Sequence, residues 1–248
     1  TLYIDENKNI IKKEVELKDL KEVSASEKIE NFIQDDMYKV NKYLSQKCGQ
    51  ISPSALIDTV NIAQISGHPY IDLINQIQMS YTNTDIASVA IYSKEAKGIP
   101  YNVTMRDIIT NYRFNNTLMK IKVRGKEFKQ ILEYNSNYFM IDEEGKLVHN
   151  PEYFIYNYDI YSGVNYTYDY SKEKGNRLIS AIYKGHQITD DEIIIFATNN
   201  YRAIGGGDFP VLDGSQVIWE SSQEIPQLIF DYISKEKNVI INNYPSIN

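Results

Sequence analysis

The sequence predicts an α+β domain, and three observations carry that prediction. Apolar residues recur at helical spacing in separate segments: Ile29, Phe32, Ile33, Met37, Val40 and Leu44, then Phe128, Ile131 and Leu132, then Ile225, Leu228, Ile229 and Ile233. Elsewhere the period is two, with Met119, Ile121 and Val123 facing one way and Lys120, Lys122 and Arg124 the other. The two kinds of segment do not follow one another in strict βα alternation, so mixed sheets flanked by helices fit better than a doubly wound parallel sheet. A chain of 248 residues is ample for a core.

The elements follow in order. Residues 1–25, through "IIKKEVELKDLKEVSAS", are charged, lysine-rich and only weakly alternating, and read as a linker or the tail of a preceding unit. Ser24 and Glu27 form a capping-box pattern for a connector helix over 26–49, with Cys48 and Gly49 at its end. The main domain then occupies 50–248. "SPSALIDTVNIAQISGHP" reads equally as helix or extended loop. Ile71, Ile74 and Ile77 after Pro69 predict a helix, and a short strand starts at Asp85. Residues 118–124 are a half-buried strand, Gly125 is a turn, and a helix runs on to about Tyr134. Nine tyrosines lie between Tyr134 and Tyr170, with Val164, Tyr166, Tyr168 and Tyr170 alternating onto one strand face. After the polar "SKEKGN" turn come strands at 177–184 and 193–198, and a last amphipathic helix at about 223–234.

Composition removes several function classes. With 33 acidic and 26 basic residues the net charge is −7, which argues against a partner that is a nucleic-acid polymer or an anionic membrane surface. No apolar run approaches the roughly 18 residues of a membrane span. Cys48 is the only cysteine, which excludes an intrachain disulfide and a cysteine-based zinc cluster. His68, His149 and His186 are scattered and read as solvated loop side chains. The pairs Asp35–Asp36, Glu143–Glu144 and Asp190–Asp191 read as solvated faces and turns. No G-x-S-x-G elbow occurs. No catalytic or metal-ligating residue is therefore assigned in this chain.

Two segments suggest binding. "TNNYRAIGGGDFP" joins a strand end to a polar, aromatic, glycine-rich loop, and "NYRFNNT" places Phe114 between polar neighbours just before a strand. The run Gly205–Gly207 lacks the Lys and Ser/Thr of a P-loop and does not match G-x-G-x-x-G, so taken alone it reads as a loop needing positive φ. Two rings so placed, Phe114 and Tyr201, are suited to sandwich a flat ligand such as a nucleobase.

At these residues the chain resembles the C-terminal domain of the 5′-nucleotidase family, and within it the bacterial 2′,3′-cyclic-nucleotide 2′-phosphodiesterase/3′-nucleotidase branch. The matching pieces occur in order over about residues 70–235: "LINQIQ" with "DIASVA", then "TMRDIITNYRFNNTLMKIKVRGKEFKQILEYNSNYF", "YNYDIYSGVNYTYDYSKEKGNRLISAIYKGHQI" and "ATNNYRAIGGGDFP". The resemblance implies a nucleoside- or nucleotide-binding domain. Its partner in a parent chain would be an N-terminal metallophosphatase domain holding two divalent metal ions, whose signatures this chain lacks. It implies an extracellular, cell-wall or periplasmic location. By the same resemblance Phe114 and Tyr201 are the stacking rings, Asn116 contacts the base, Gly205 and Gly206 let the loop approach the ligand, and Asp208 stands one position later than the family's ribose-contacting Asp. A family arginine for phosphate has no counterpart, leaving Lys94, Lys97 or Arg202 as substitutes. The same domain in a 5′-nucleotidase or UDP-sugar hydrolase is an alternative. A carbohydrate-binding surface built on the tyrosines of 134–170 is another.

Overall fold

The computed structural model describes residues 1–247, which divide into two compact units, 1–42 and the residues from 43 on. In the first unit the expected linker carries a short antiparallel hairpin, Leu2–Ile4 with Ile10–Lys13, closed by Asp5, whose carboxylate accepts the amides of Asn7 and Asn9. The helix Glu27–Leu44 starts at Ser26, whose carbonyl accepts the amides of Ile29 and Glu30, and not at Ser24. Its apolar stripe exists as the periodicity predicts, but none of its residues is buried. The helix also stops short of Cys48. That residue lies in the strand Lys47–Ser52, buried, with Sγ donating to the Val103 carbonyl at 3.2 Å, and burial pushes its thiol pKa up to about 11. A buried, protonated thiol behaves as a small packing group.

The second unit is α+β, built on a five-stranded mixed sheet. Its order is Asp159–Ser162, Ala87–Ala90, Ile193–Asn199, Thr117–Arg124, Val217–Glu224. Only Ala87–Ala90 and Ile193–Asn199 run parallel; every other neighbouring pair is antiparallel. Apolar packing covers both faces. On one face Met119, Ile121, Val123, Ile194 and Phe196 meet Phe128, Ile131 and Leu132 of the helix Gly125–Asn135. On the other, Ala87, Val89, Ile160 and Ala197 meet the helices Pro69–Thr82 and Ile225–Glu236. That double coverage explains why "IIIFAT" reads as an unbroken apolar run rather than an alternation. Ile121 lies opposite Phe196 with both fully buried. Burying each side chain is worth roughly 1.5–3 kcal/mol, and a one-residue slip would turn Lys120 and Lys122 inward instead.

The ambiguous stretch after Ile51 resolves into a strand, Ala55–Leu56, and a helix, Val60–Ser66. Gly125 is not a separate turn; the strand passes directly into the helix, which begins at Gly125 itself. His68 is not a solvated loop side chain, because its Nδ1 caps the helix Pro69–Thr82 by accepting the Tyr70 amide at 3.1 Å. His149 is likewise half-buried, its ring 2.7 Å from the Tyr153 carbonyl. The tyrosine-rich stretch goes largely to the core: Tyr158, Tyr161 and Tyr166 are fully buried. That removes the exposed platform a sugar-binding face would need there.

A polar seam runs through the packing between the helix Pro69–Thr82 and the sheet. Asn75 donates to Ser162 Oγ at 2.9 Å and to the Ile160 carbonyl, Gln78 donates to Asn75 Oδ1 and to the Ser88 carbonyl, and Ser88 Oγ reaches Thr198 at 3.1 Å. At its outer end Ser162 Oγ donates to Asp72 at 3.3 Å, and burial raises the Asp72 pKa to about 6 despite that bond. The unfolded value is lower, near the reference 3.8, so between these two values the native state binds the proton more tightly. Stability is then greatest below about pH 4, falls as pH rises towards 6, and is level above it. Asp72→Asn is expected to abolish this slope and to raise stability at pH 7.5 by on the order of 1–2 kcal/mol. Urea midpoints of both proteins at pH 4.5 and 7.5 check it; an equal pH dependence in the variant would contradict it.

Candidate functional site

Four chain segments converge at one end of the sheet because of its strand directions. The parallel strands Ala87–Ala90 and Ile193–Asn199 end there and lead into Tyr92 and Tyr201. The strands Thr117–Arg124 and Asp159–Ser162, antiparallel to them, begin there, just after Phe114–Asn116 and Tyr156. Asn199 opposite Leu118 and Asp159 opposite Ala90 mark the edge in register. Crevices at the carboxyl ends of sheet strands are habitual ligand sites, since loops diverge there while the sheet below stays rigid.

The cleft so formed has a volume of about 240 Å³ and is lined by Tyr92, Phe114, Asn116, Tyr156, Asn199, Tyr201 and Arg202. It falls just below the roughly 300–1,000 Å³ of sites that enclose a whole small ligand, and so suits one part of one. Phe114 and Tyr201 are 42% and 41% exposed, unlike the tyrosines packed below them. Tyr156 is edge-on to both: its centroid is 6.1 Å from Phe114 at 74° and 6.4 Å from Tyr201 at 78°. Tyr92, buried, braces Phe114 edge-on at 5.2 Å and Tyr112 at 4.9 Å. Burial, with Tyr112 close by, holds the Tyr92 hydroxyl protonated far above the ordinary tyrosine range. Asn199 Nδ2 reaches that hydroxyl at 3.5 Å, and its Oδ1 accepts the Arg202 amide at 2.9 Å, capping the short helix Asn200–Ala203 that carries Tyr201.

Beneath the rings lies an ion pair that holds the floor together. Arg202, 1% exposed, donates from Nε to Asp159 Oδ2 at 2.8 Å and from Nη2 to Oδ1 at 3.0 Å. Nη2 also donates to the Tyr156 carbonyl at 3.0 Å, and Nη1 to the Gly206 carbonyl. The Phe209 ring covers the guanidinium at 3.8 Å. Asp159 is fixed in turn by Asn135, which exchanges both backbone bonds with it, and by Ser88 Oγ at 3.4 Å. Burial by itself would lower the Arg202 pKa, yet the charge and hydrogen bonds of Asp159 raise it above the ordinary arginine value. One guanidinium therefore ties the Tyr156 segment to the glycine loop.

Of the residues singled out in the sequence, Phe114, Asn116 and Tyr201 are brought together in the cleft, while Gly205, Gly206 and Asp208 lie outside its lining. The glycines act on Tyr201. A Cβ on Gly206 would stand 2.6 Å from ring atoms Cε1 and Cε2 of Tyr201, so the ring lies flat against backbone that only glycine leaves bare. Gly205 is left-handed at φ +88°, and a Cβ there would meet the Leu212 carbonyl at 2.4 Å. Asp208 is exposed, in the left-handed region at φ +60°. Arg202 is buried and commits four of its five N–H donors to Asp159 and two carbonyls, so it is poorly placed to serve as a phosphate ligand. Sequence reasoning missed Tyr92, Tyr156, Asn199 and Asp159. For Asp159 a signal existed: it is the one charge in the apolar, tyrosine-rich "FIYNYDIYSGV", which calls for a buried cation.

Among the described residues no group of three or more His, Cys, Asp or Glu side chains is placed to hold a metal ion, so these residues do not fit a two-metal centre. No helix among them is long and apolar enough to cross a membrane.

Comparison with known proteins agrees with this architecture. The chain is 27% identical over 87% of its length to the trifunctional nucleotide phosphoesterase protein YfkN of Bacillus subtilis, covering 17% of that protein. It is 26% identical over 81% of its length to the 2′,3′-cyclic-nucleotide 2′-phosphodiesterase/3′-nucleotidase of Haemophilus influenzae, covering 36% of it. A solved Staphylococcus aureus structure, assigned as a 5′-nucleotidase, superposes with a TM-score of 0.86 at 25% identity, over all of this chain and 49% of that one. The chain thus spans between about a sixth and a half of the length of these relatives. The family 5′-nucleotidase, C-terminal domain matches residues 47–214, which takes in every cleft residue, and the chain belongs to that family.

Proposed function

We propose that this domain recognises the nucleoside part of a nucleotide, holding the base between Phe114 and Tyr201 with Asn116 orienting its edge. The observation that supports it most directly is the pair of large, half-exposed rings, each edge-on to the same Tyr156, at a cleft whose floor is made by the buried Tyr92, Asn199 and Arg202. An exposed ring loses little on binding and gains a stacking partner. The carboxamide of Asn116 offers both a donor and an acceptor, so it can meet either kind of base edge. In the parent protein the reaction served would be hydrolysis of 2′,3′-cyclic nucleotides and 3′-nucleotides, the activity named for the Haemophilus influenzae relative. The metal ions for it would belong to a companion domain, and no step is assigned to them here.

Because every base has a π-face, stacking tolerates sequence. Adenosine, guanosine, uridine and 2′,3′-cyclic AMP are therefore expected to bind one site per chain, with affinities within about tenfold of one another. Titration calorimetry of the chain checks this. Absence of saturable binding by all four would count against the proposal. Assay of the full-length protein with 2′,3′-cyclic AMP, 3′-AMP and 5′-AMP then separates the cyclic-phosphodiesterase reading from a 5′-nucleotidase.

A further inference from the structure

Tyr156 meets both stacking rings edge-on, yet no sheet strand carries it. It belongs to the segment 150–158, which joins the strand Leu147–His149 to the strand Asp159–Ser162 and holds one short 3₁₀ turn, Ile155–Asn157. Backbone outside a sheet ladder takes its shape from whichever groups bond to it. The bonds within this segment are local. Asn150 Oδ1 accepts the Glu152 amide at 3.1 Å, the Tyr153 amide donates to the Asn150 carbonyl, and the Asn157 amide donates to the Phe154 carbonyl.

Two of its carbonyls, those of Tyr153 and Tyr156, are tied to the packed domain by side chains. Arg202 Nη2 donates to the Tyr156 carbonyl at 3.0 Å, and the His149 ring meets the Tyr153 carbonyl through Nε2 at 2.7 Å. A carbonyl only accepts, so Nε2 carries the hydrogen. The two anchors bracket Phe154 and Ile155, the residues that lead into Tyr156. His149 is braced in turn: its ring lies 4.6 Å from that of Tyr138, which stacks on the buried Tyr158 at 4.8 Å and 22° and bonds through its hydroxyl to Gln64. The ion pair Glu152–Lys174, at 3.4 Å, is exposed and adds little. His149 lines the groove beside the cleft and not the cleft itself, so it acts through Tyr156 rather than on a base.

Resting on the nucleoside reading of the cleft, we infer that His149 is a positioning residue for base binding: by holding the Tyr153 carbonyl it fixes the turn that presents Tyr156 to Phe114 and Tyr201. Arg202 is the other anchor, but it is also half of the buried ion pair, so His149 is the anchor whose loss can be read separately. Without its N–H the segment samples arrangements in which Tyr156 leaves the stacking rings. The measured affinity is then the intrinsic one reduced by the fraction of molecules that keep Tyr156 in place.

The test is adenosine calorimetry on the chain and on its His149→Phe and His149→Gln variants, with circular dichroism melts to place each titration well below its unfolding transition. His149→Phe keeps a ring against Tyr138 and removes the donor; His149→Gln removes the ring and keeps an N–H of similar reach. His149→Phe is expected to bind adenosine about three- to tenfold more weakly, the effect of one lost hydrogen bond, and His149→Gln to recover to within about twofold. A purely structural role would instead make affinity follow the melting temperature, whichever group is lost. Long-range ¹H–¹⁵N spectra of the unaltered chain should show the hydrogen of His149 on Nε2, a readout that needs no variant to fold. An Nδ1–H tautomer, full adenosine affinity in His149→Phe, or equal weakening in both variants overturns the positioning role and leaves the base cleft standing. Failure of the unaltered chain to bind adenosine removes both readings.

Discussion

Asp159→Ala is expected to cost about 3–5 kcal/mol of folding stability, because it strands the Arg202 charge in a site that is 1% exposed. The mechanism is the asymmetry of buried ion pairs. Together the two groups satisfy one another with two direct hydrogen bonds, and Arg202 gives two of its other three donors to the carbonyls of Tyr156 and Gly206. Alone, the guanidinium must stay charged without a counter-charge or draw water into the core. Arg202→Met leaves the complementary problem, a carboxylate with only Ser88 and the Asn135 exchange nearby. The double variant Asp159→Ala/Arg202→Met should therefore lose clearly less than the two single losses added, a coupling of at least about 1 kcal/mol. Urea unfolding, with midpoints compared at unchanged slope, measures all four proteins. Strictly additive losses would show that the pair is not a unit.

The same pair shows which part of the molecule was legible from sequence. Period and pattern report local geometry, so the strand at 117–124, the helices after Pro69 and Ile225 and the run at 193–199 follow directly from side-chain spacing. Two features were legible only as local conformations whose context lay elsewhere. The stripe of the helix Glu27–Leu44 predicts burial that the described residues do not supply, and the Cys48 segment joins a sheet with Asn102–Thr104 and Asn238–Ile240, partners more than fifty residues away. Phe114, Asn116 and Tyr201 were found because they sit in motifs. Tyr156 and Tyr92 were not, because nothing in "IYNYD" or "AIYSK" marks which of many tyrosines the sheet edge brings to the cleft, and Asn199, though inside the glycine-loop motif, is told from its neighbour Asn200 only by the fold. The roles of Gly205 and Gly206 changed for the same reason: a glycine run announces bare backbone, but only the fold reveals that Tyr201 itself lies on it.

Truncating either exposed ring should cripple ligand binding without harming the fold. Phe114→Ala and Tyr201→Ala are each expected to weaken adenosine binding by about 1–3 kcal/mol, roughly 5- to 150-fold, the contribution of one base–aromatic stack. The two losses should not simply add, because a base held on one side only can still rest on the remaining ring, whereas the double variant has none. Stability is a separate axis. Both rings are about 40% exposed, with Phe114 resting on Tyr92 and Tyr156 and Tyr201 on Gly206, so each truncation should shift the melting transition only modestly. Conservative changes sharpen the reading. Tyr201→Phe keeps the π-face and should retain affinity within a few-fold, while Tyr201→Leu keeps apolar bulk without a π-face and should behave like alanine. Equal affinity in the phenylalanine and leucine variants would mean that burial, not stacking, supplies the binding energy. Unchanged affinity in both alanine variants would mean that the base binds elsewhere, and the cleft at the sheet edge would lose its assignment.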